Sequence, residues 1–380
     1  MRLAMTLMVR DEADIIRPMI EHSLAQGVDV LIVTDNGSTD GTTEILESFG
    51  DRIDLRHDPV HRKQQHSVVT GMARDAYNRY AADWVVNADA DEFWMPVAGG
   101  ATIKDVLAEV PASLRAFTVP VVDMTGRPAL RGTGFERLRF RDNRSVEELQ
   151  RIGLRAHSTP DAVHVGDPEV EVAQGNHFVT LPTGELPTEL GLEVLHLPWR
   201  SWDQFEAKVV KSGRAYESNP ELAPSPNHHG MREYWRWKQG ALFAYYVLRH
   251  PSEAELAAGV VDGTYVEDRR LVSTKAAVED VFLDNQAEGE ARYAGRIVAA
   301  TERTLRGDIA AEHERYAVAV RAVEGGRVRI EELEERLHLE EETRGELETR
   351  LDAAQRRLDE ISSRRVVRVA DALARGIKRH

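Results

Sequence analysis

The sequence predicts an α/β fold organised around a mostly parallel sheet. Two observations predict it. From Leu3 to about Val122, short apolar runs suited to buried strands alternate with amphipathic stretches suited to helices. Two polar segments also stand directly after such runs: Val33-Thr34-Asp35-Asn36-Gly37-Ser38-Thr39-Asp40-Gly41-Thr42 and Trp84-Val85-Val86-Asn87-Ala88-Asp89-Ala90-Asp91-Glu92-Phe93. In parallel sheets, ligands bind beyond the carboxyl ends of the strands, where both segments fall.

The elements follow in order. Residues 3–9 are uninterrupted apolar apart from Thr6 and read as a buried first strand. Residues 12–26 read as a helix, with Ile15, Ile16, Met19, Ile20 and Leu24 at helical spacing. Val28 to Thr34 is the second strand, Thr42 to Phe49 a short helix, and Ile53-Asp54-Leu55 a candidate third strand. Residues 64–82 form a long helix leading into the strand Trp84–Asn87. Leu107 to about Val122 adds another helix and strand. From Gly126 to Glu193 the chain is rich in Gly, Pro and Arg, with short strands and loops suited to shaping an acceptor site.

The C-terminal part reads as helical. Trp202 to Tyr216 is a helix, followed by a Pro-, Asn- and His-rich loop, Ser218–Gly230. A helix around Glu233–Arg249 carries Tyr234, Trp235, Trp237, Phe243, Tyr245 and Tyr246. Core packing is its first reading; acceptor or lipid contact is the second. Residues 291–322 are helical in composition. Over 328–362, Ile330, Leu333, Leu337, Leu347, Leu351, Ala354, Leu358 and Ile361 follow an alternating three-four pattern interrupted by Glu340 and Arg344. This is the pattern of a coiled coil or helical hairpin; self-association and an intramolecular partner fit it equally. The basic stretch Arg364–His380 has apolar residues at helical spacing, suiting either an anionic membrane surface or a docked terminal helix.

Composition narrows the function. The formal charge is -15, which argues against a nonspecific nucleic-acid binder. There are no cysteines, so thiolate nucleophiles, disulfides and cysteine metal sites are excluded. Charges arrive at Arg10, Asp11 and Glu12, too soon for a secretion signal, and no run approaches a membrane span of about 20 apolar residues. A cytoplasmic protein is the expectation, with peripheral contact at the inner membrane face left open.

The strand-end residues suggest a nucleotide subsite and a metal subsite. Asp91 is the candidate ligand for Mg²⁺ or Mn²⁺, which bridge phosphates. Asp89 would reach a ribose or the metal. Asp35 and Asn36 suit hydrogen bonds to a base or ribose. Gly37 and Gly41 permit tight turns, and Asp40 or Ser38 suits a helix cap. Arg10, Asp11 and Glu12 end the first strand in the same crevice, with Asp11 the candidate nucleoside contact. His196 follows another strand-like run and suits a metal shell; a structural histidine is the equal alternative. Lys208, with Lys211 one turn later, suits diphosphate neutralisation or a solvated face. In Gly175-Asn176-His177-Phe178, His177 is a candidate for binding phosphate or acceptor, or for accepting a proton.

These segments resemble the GT-A glycosyltransferases, family 2-like, and in particular the branch related to glycosyltransferase family 92. Leu7-Met8-Val9-Arg10-Asp11-Glu12-Ala13 is similar to the family's first strand and its acidic end. Asp35 to Thr42 is similar to its "DNGSTDGT" segment, and Asp89-Ala90-Asp91-Glu92-Phe93 to its "DxDEF" segment. The likeness covers roughly residues 3–95. His196 and Lys208 resemble a later "HY…K" segment, with Leu197 in place of the usual Tyr.

The resemblance implies a nucleotide-diphospho-sugar transferase with a Rossmann-like sandwich; the C-terminal helical or coiled-coil extension is read from the residue pattern. It implies a catalytic domain over 1–250, with a nucleotide-binding half to about 123 and an acceptor-side half over 124–250. A helical extension over 251–323 and a coiled-coil-like arm with a basic helix over 324–380 follow from composition and spacing, and the likeness does not cover the arm from about residue 320. It further implies that Asp35 contacts the base, Asp89 the ribose or metal, and Asp91 the metal. The donor would be a UDP-, GDP- or dTDP-sugar and the acceptor a polysaccharide, a glycolipid or a small molecule.

Transfer with inversion requires one base at the acceptor hydroxyl. Glu92 and His177 are candidates, with Asp167, Glu169 and Glu171 as rivals. A nucleotidyltransferase would share strand-end aspartates and a metal, but residues 9–17 lack the glycines of a triphosphate loop. A noncatalytic sugar-nucleotide-binding or assembly protein, organised by the C-terminal arm, is the other reading.

Overall fold

The computed structural model describes residues 1–59, 65–154, 156–217, 229–324, 330–363 and 369. It divides into two compact units, each assembled from three stretches. The first comprises Met1–Asn143, His157–Ser201 and Ser252–Val281; the second comprises Arg144–Ala156, Trp202–Pro251 and Phe282–His380.

The first unit opens with β1 (Leu3–Val9), α1 (Ile16–Ala25), β2 (Val30–Asp35), α2 (Thr42–Glu47), β3 (Asp54–His57), α3 (Gln65–Asn78) and β4 (Trp84–Ala88). These are the expected elements with shifted ends: the helices are shorter, while β2, β3 and β4 run past their expected C-termini. β1 is covered on both faces. Leu3, Met5, Leu7 and Val9 join one core with Ile16, Met19 and Ile20 of α1. Ala4 joins another with Ile32, Val69, Met72 and Ala73. Strand side chains alternate between faces, so an unbroken apolar run is what a doubly covered strand needs.

The chain continues through β5 (Glu92–Pro96), α4 (Ile103–Ala108), β6 (Ala116–Val119), β7 (Val121–Thr125), β8 (Ala129–Arg131), β9 (Phe140–Asp142), β10 (Asp161–Val165), β11 (Leu192–His196) and β12 (Tyr265–Glu267). One sheet has the order β3-β2-β1-β4-β10-β6. Its first four strands are parallel, and β10 runs antiparallel to β4 and β6. A second sheet has the order β12-β9-β7-β11-β5. The turn Asp89–Asp91 carries the chain from β4 in the first sheet to β5 in the second. The fold class is therefore the one the sequence predicts.

The second unit is helical: α5 (Val146–Arg151), α6 (Trp202–Glu217), α7 (His229–Lys238) and α8 (Leu242–Arg249). The single helix expected around Glu233–Arg249 is two. Gly240 adopts φ 72, Ala241 N–H donates to Arg236 O at 2.8 Å, and Gly240 N–H to Trp237 O at 3.0 Å. That paired capping ends α7. α9 (Glu253–Asp262) belongs to the first unit.

α10 (Asn285–Glu324) and α11 (Ile330–Ser363) complete the second unit. Leu358 packs with Val298 and Ala241, and Ile361 with Ala294 and Ala244. Arg350 pairs with Asp308 at 3.0 Å. The C-terminal part of the three-four pattern thus has an intramolecular partner, in an antiparallel hairpin. The side chains of Ile330, Leu333 and Leu337, residues 218–228, and all of Arg364–His380 except residue 369 lie outside the described residues. No helix among the described residues is long and apolar enough to cross a membrane.

Candidate active site

The ends of β1 and β2 are stitched into one rim. Asp11 takes a left-handed backbone, φ 56, and its Oδ1 accepts hydrogen bonds from Thr39 N (2.8 Å) and Oγ1 (3.1 Å). Its own N–H donates to Ser38 Oγ at 3.0 Å. Asp35 is buried. Its Oδ1 accepts from Ser38 N and Oγ at 3.0 and 2.6 Å, and its Oδ2 from Thr43 Oγ1 at 2.5 Å. Asn36 Nδ2 donates to Asp58 O at 2.8 Å. Asp40 Oδ1 accepts from Thr42 N at 3.0 Å in an i to i+2 turn, while the N-cap of α2 is Gly41, which has no side-chain cap bond, so the expected cap is not formed. Arg10 Nε lies 3.7 Å from Asp11 Oδ2. The hydroxyl-rich segment after β2 therefore fixes both acidic side chains.

The second cluster forms where β4 crosses to β5. Strand register explains it. β11 runs antiparallel to β5 with His196 opposite Glu92, and parallel to β7 with His196 opposite Asp123. Leu197 N–H donates to Asp91 O at 2.9 Å. His196 Nδ1 contacts Asp123 Oδ1 at 2.9 Å, and its Nε2 faces Asp91 Oδ2 at 3.9 Å. Asp123 also accepts from Ser158 Oγ (2.6 Å), Ser158 N (3.0 Å) and His157 Nδ1 (3.3 Å). Burial opposes ionisation of Asp123, but hydrogen bonds from His157, His196 and Ser158 outweigh it and hold its carboxyl far below the usual range. An ionised Asp123 accepts a hydrogen bond from Nδ1–H, leaving the Nε2 lone pair directed at Asp91.

Arg200 supplies the counter-charge. It is fully buried, with Nε 2.7 Å from Asp14 Oδ2, Nη1 3.4 Å from Asp91 Oδ2, and Nη2 on Glu12. Burial disfavours its charge, and Asp14, Glu12 and Asp91 more than restore it, raising the guanidinium above its ordinary value.

Asp89 accepts at Oδ1 from Asn176 Nδ2 (3.2 Å) and Gln65 Nε2 (3.3 Å). Its N–H donates to Glu92 Oε2 at 2.9 Å. Burial, with Asp89, Asp161 and Asp91 nearby, pushes the Glu92 carboxyl well above the usual range. Through the Asp89 amide, Glu92 braces the turn. His177 Nδ1 contacts Asp161 Oδ1 at 2.9 Å. Of the rivals, Asp167 pairs with Arg115 at 2.7 Å, while Glu169 and Glu171 are exposed. Lys208 and Lys211 are exposed on α6, in the second unit.

Among the described residues, no three His, Asp or Glu side chains gather to hold a metal on protein ligands alone. Asp91 and His196 form a two-donor set. Such a set fits Mg²⁺ or Mn²⁺ whose remaining positions are filled by phosphate oxygens and water.

The strand-end acids and His196 were legible in sequence. Asp123, Asp14, Arg200 and Asp161 were not singled out. Each reaches the site through strand register or a long chain separation, and no local pattern marks it.

Residues 4–120 match the family model described as glycosyltransferase family 92. That stretch runs from β1 to just past the end of β6 and includes both polar segments. Over it the chain is similar to that family. No curated protein matches the sequence. Similar solved structures include S. aureus TarS 1-349 in complex with UDP-GlcNAc, at 12% identity, covering 80% of this chain and 83% of that one, with TM-score 0.32. A mannosyltransferase, PcManGT from Pyrobaculum calidifontis, in complex with GDP-Man and Mn2+, is 15% identical, with coverage of 68% and 75% and TM-score 0.30. Glucosyl-3-phosphoglycerate synthase from Mycobacterium tuberculosis is 17% identical, with coverage of 43% and 56% and TM-score 0.24.

Proposed function

From a glycosyltransferase family 92 match across the nucleotide-facing strands, we propose that this chain is a metal-dependent glycosyltransferase. It moves a sugar from a nucleoside-diphosphate donor to an acceptor hydroxyl, with inversion at the anomeric carbon. The observation that carries the reading is the Asp91–His196 pair at the sheet crossing, with Asp123 directing His196.

Each residue has a part. Asp35 and Asp11 line the nucleoside end of the crevice, held by Ser38, Thr39 and Thr43. Asp89 stands where a ribose hydroxyl would reach it. Asp91 and His196 would hold Mg²⁺ or Mn²⁺, whose charge offsets that of the departing diphosphate. Arg200 sets a positive charge beside Asp91 and aims it from within the core. The acceptor class is a polysaccharide, a glycolipid or a small molecule, and the site of action is the cytoplasm or the inner membrane face.

The test is binding of a panel of UDP-, GDP- and dTDP-sugars, with and without Mn²⁺, to the wild type and to Asp91→Ala. Metal-dependent binding of one donor, weakened at least tenfold in the variant, is the expected result. No nucleotide binding under any condition would sink the proposal.

A further inference from the structure

The loop between β10 and β11 carries a second histidine–carboxylate pair, separate from the one at His196. Asp161, the first residue of β10, is 0% exposed, and its Oδ1 lies 2.9 Å from His177 Nδ1. A buried carboxylate on Nδ1 selects the tautomer with its lone pair on Nε2 and stabilises the imidazolium once that nitrogen is protonated. His177 Nε2 has no hydrogen-bond partner among the described residues, and the side chain is about a third exposed.

The loop is built to hold this ring in place. Gly175 has φ +83, and a Cβ there would meet His177 Nε2 at 2.9 Å. Asn176 takes φ 64, is buried, and its Nδ2 donates to Asp89 Oδ1 at 3.2 Å. Asparagine tolerates this left-handed backbone better than most residues. One residue of the loop thus grips the metal-side turn while the next presents an imidazole. β10 lies beside β4 in the sheet, on the side opposite the nucleoside-facing β1 and β2. A donor with its base over β1 and β2 and its diphosphate at Asp91 would extend its sugar toward β10.

Resting on the glycosyltransferase reading, we infer that His177 is the catalytic base for transfer, with Asp161 its positioning residue. His177 Nε2 takes the proton of the acceptor hydroxyl as that oxygen bonds to the anomeric carbon. The bond from that carbon to the diphosphate oxygen breaks, and its electron pair leaves with the diphosphate. The imidazolium formed is held by Asp161. Glu92 is already committed to the Asp89 amide and buried beneath the turn. Among the described residues, the titratable group bonded to His177 is Asp161 on β10, and Asp89 is bonded to the neighbouring Asn176.

The experiment uses the full chain, Mn²⁺ and whichever UDP-, GDP- or dTDP-sugar binds the wild type. Release of nucleoside diphosphate is followed with a monosaccharide array and with water as acceptors. His177→Ala should bind the donor within threefold of wild type yet release diphosphate about 10²–10⁴-fold more slowly, with loss of the acid limb of the pH–rate profile. Added imidazole should restore part of the rate, which a structural role would not allow. Asp161→Asn should slow release while sparing donor binding. A His177→Ala rate within threefold of wild type, or a rate loss matched by an equal loss of donor binding, would overturn the assignment. So would imidazole rescue failing in a variant that melts like wild type. Failure of the wild type to bind any donor would remove the underlying reading, a result separable from all of these.

Discussion

Replacing Asp123 by Asn tests the proposed metal subsite most directly. The carboxylate accepts four hydrogen bonds, from His196 Nδ1, His157 Nδ1, and the N and Oγ of Ser158. An amide turns one acceptor oxygen into an NH₂ group, so a donor faces a donor on one side. When the NH₂ faces His196, Nδ1 must accept and Nε2 must carry the proton. That proton then points at Asp91 Oδ2, 3.9 Å away, where the ligand lone pair is required. Loss of such outer partners costs about 10–100-fold in metal affinity, or roughly 1.4–2.8 kcal/mol.

The assay is Mn²⁺ titration of the protein with its nucleoside diphosphate, by calorimetry and by the EPR signal of free Mn²⁺. His196→Ala should lose at least as much affinity. The double variant should be little worse than His196→Ala alone, because the two substitutions remove the same ligand. An Asp123→Asn protein that melts like wild type and binds Mn²⁺ within twofold of it would refute the reasoning.

Two further outcomes follow from buried charge. Arg200→Ala leaves Glu12, Asp14 and Asp91 without their shared cation and should cost about 3–5 kcal/mol, seen as a lowered urea midpoint; Arg200→Lys should recover only part, lacking the planar fork. An alanine variant as stable as wild type would contradict this. His164 is buried, and that burial pushes its pKa from about 6.5 down to about 4, against a hydrogen bond to Val165 O. The unfolded chain takes up this proton near pH 6.5 while the folded one resists to about 4, so stability should fall as pH drops across that window. His164→Gln should flatten the dependence; an unchanged slope of urea midpoint against pH would count against it.

What the sequence revealed and what it hid have physical causes. The buried strands announced themselves because a doubly covered strand has little use for polar residues, and Leu3–Val9 has only Thr6. The segments after β2 and β4 were legible because turn, cap and carboxylate residues cluster there within a few positions. Two parts of the Asp91 site, Arg200 and the Asp123 behind His196, were hidden. Arg200 lies 109 residues away and His196 meets Asp123 across 73. Only the register of β11 against β5 and β7 joins them, and register is not written locally. The break at Gly240 was hidden for another reason. Its flanks keep aromatic residues at helical spacing, so periodicity ran on across a capped end. Nor does composition reveal that each compact unit is collected from three separate stretches.

The Asp89–Asp91 turn has one more consequence. It is the covalent joint between two hydrogen-bonded sheets, since β4 belongs to one and β5 to the other. Any ligand grasped by Asp91 and His196 therefore acts as a rivet through that joint, fastening β11 to the exit of β4. Grip and rigidity become a single property there. One residue of slip in β11 would turn His196 to the opposite face, and the rivet would have nothing left to pass through.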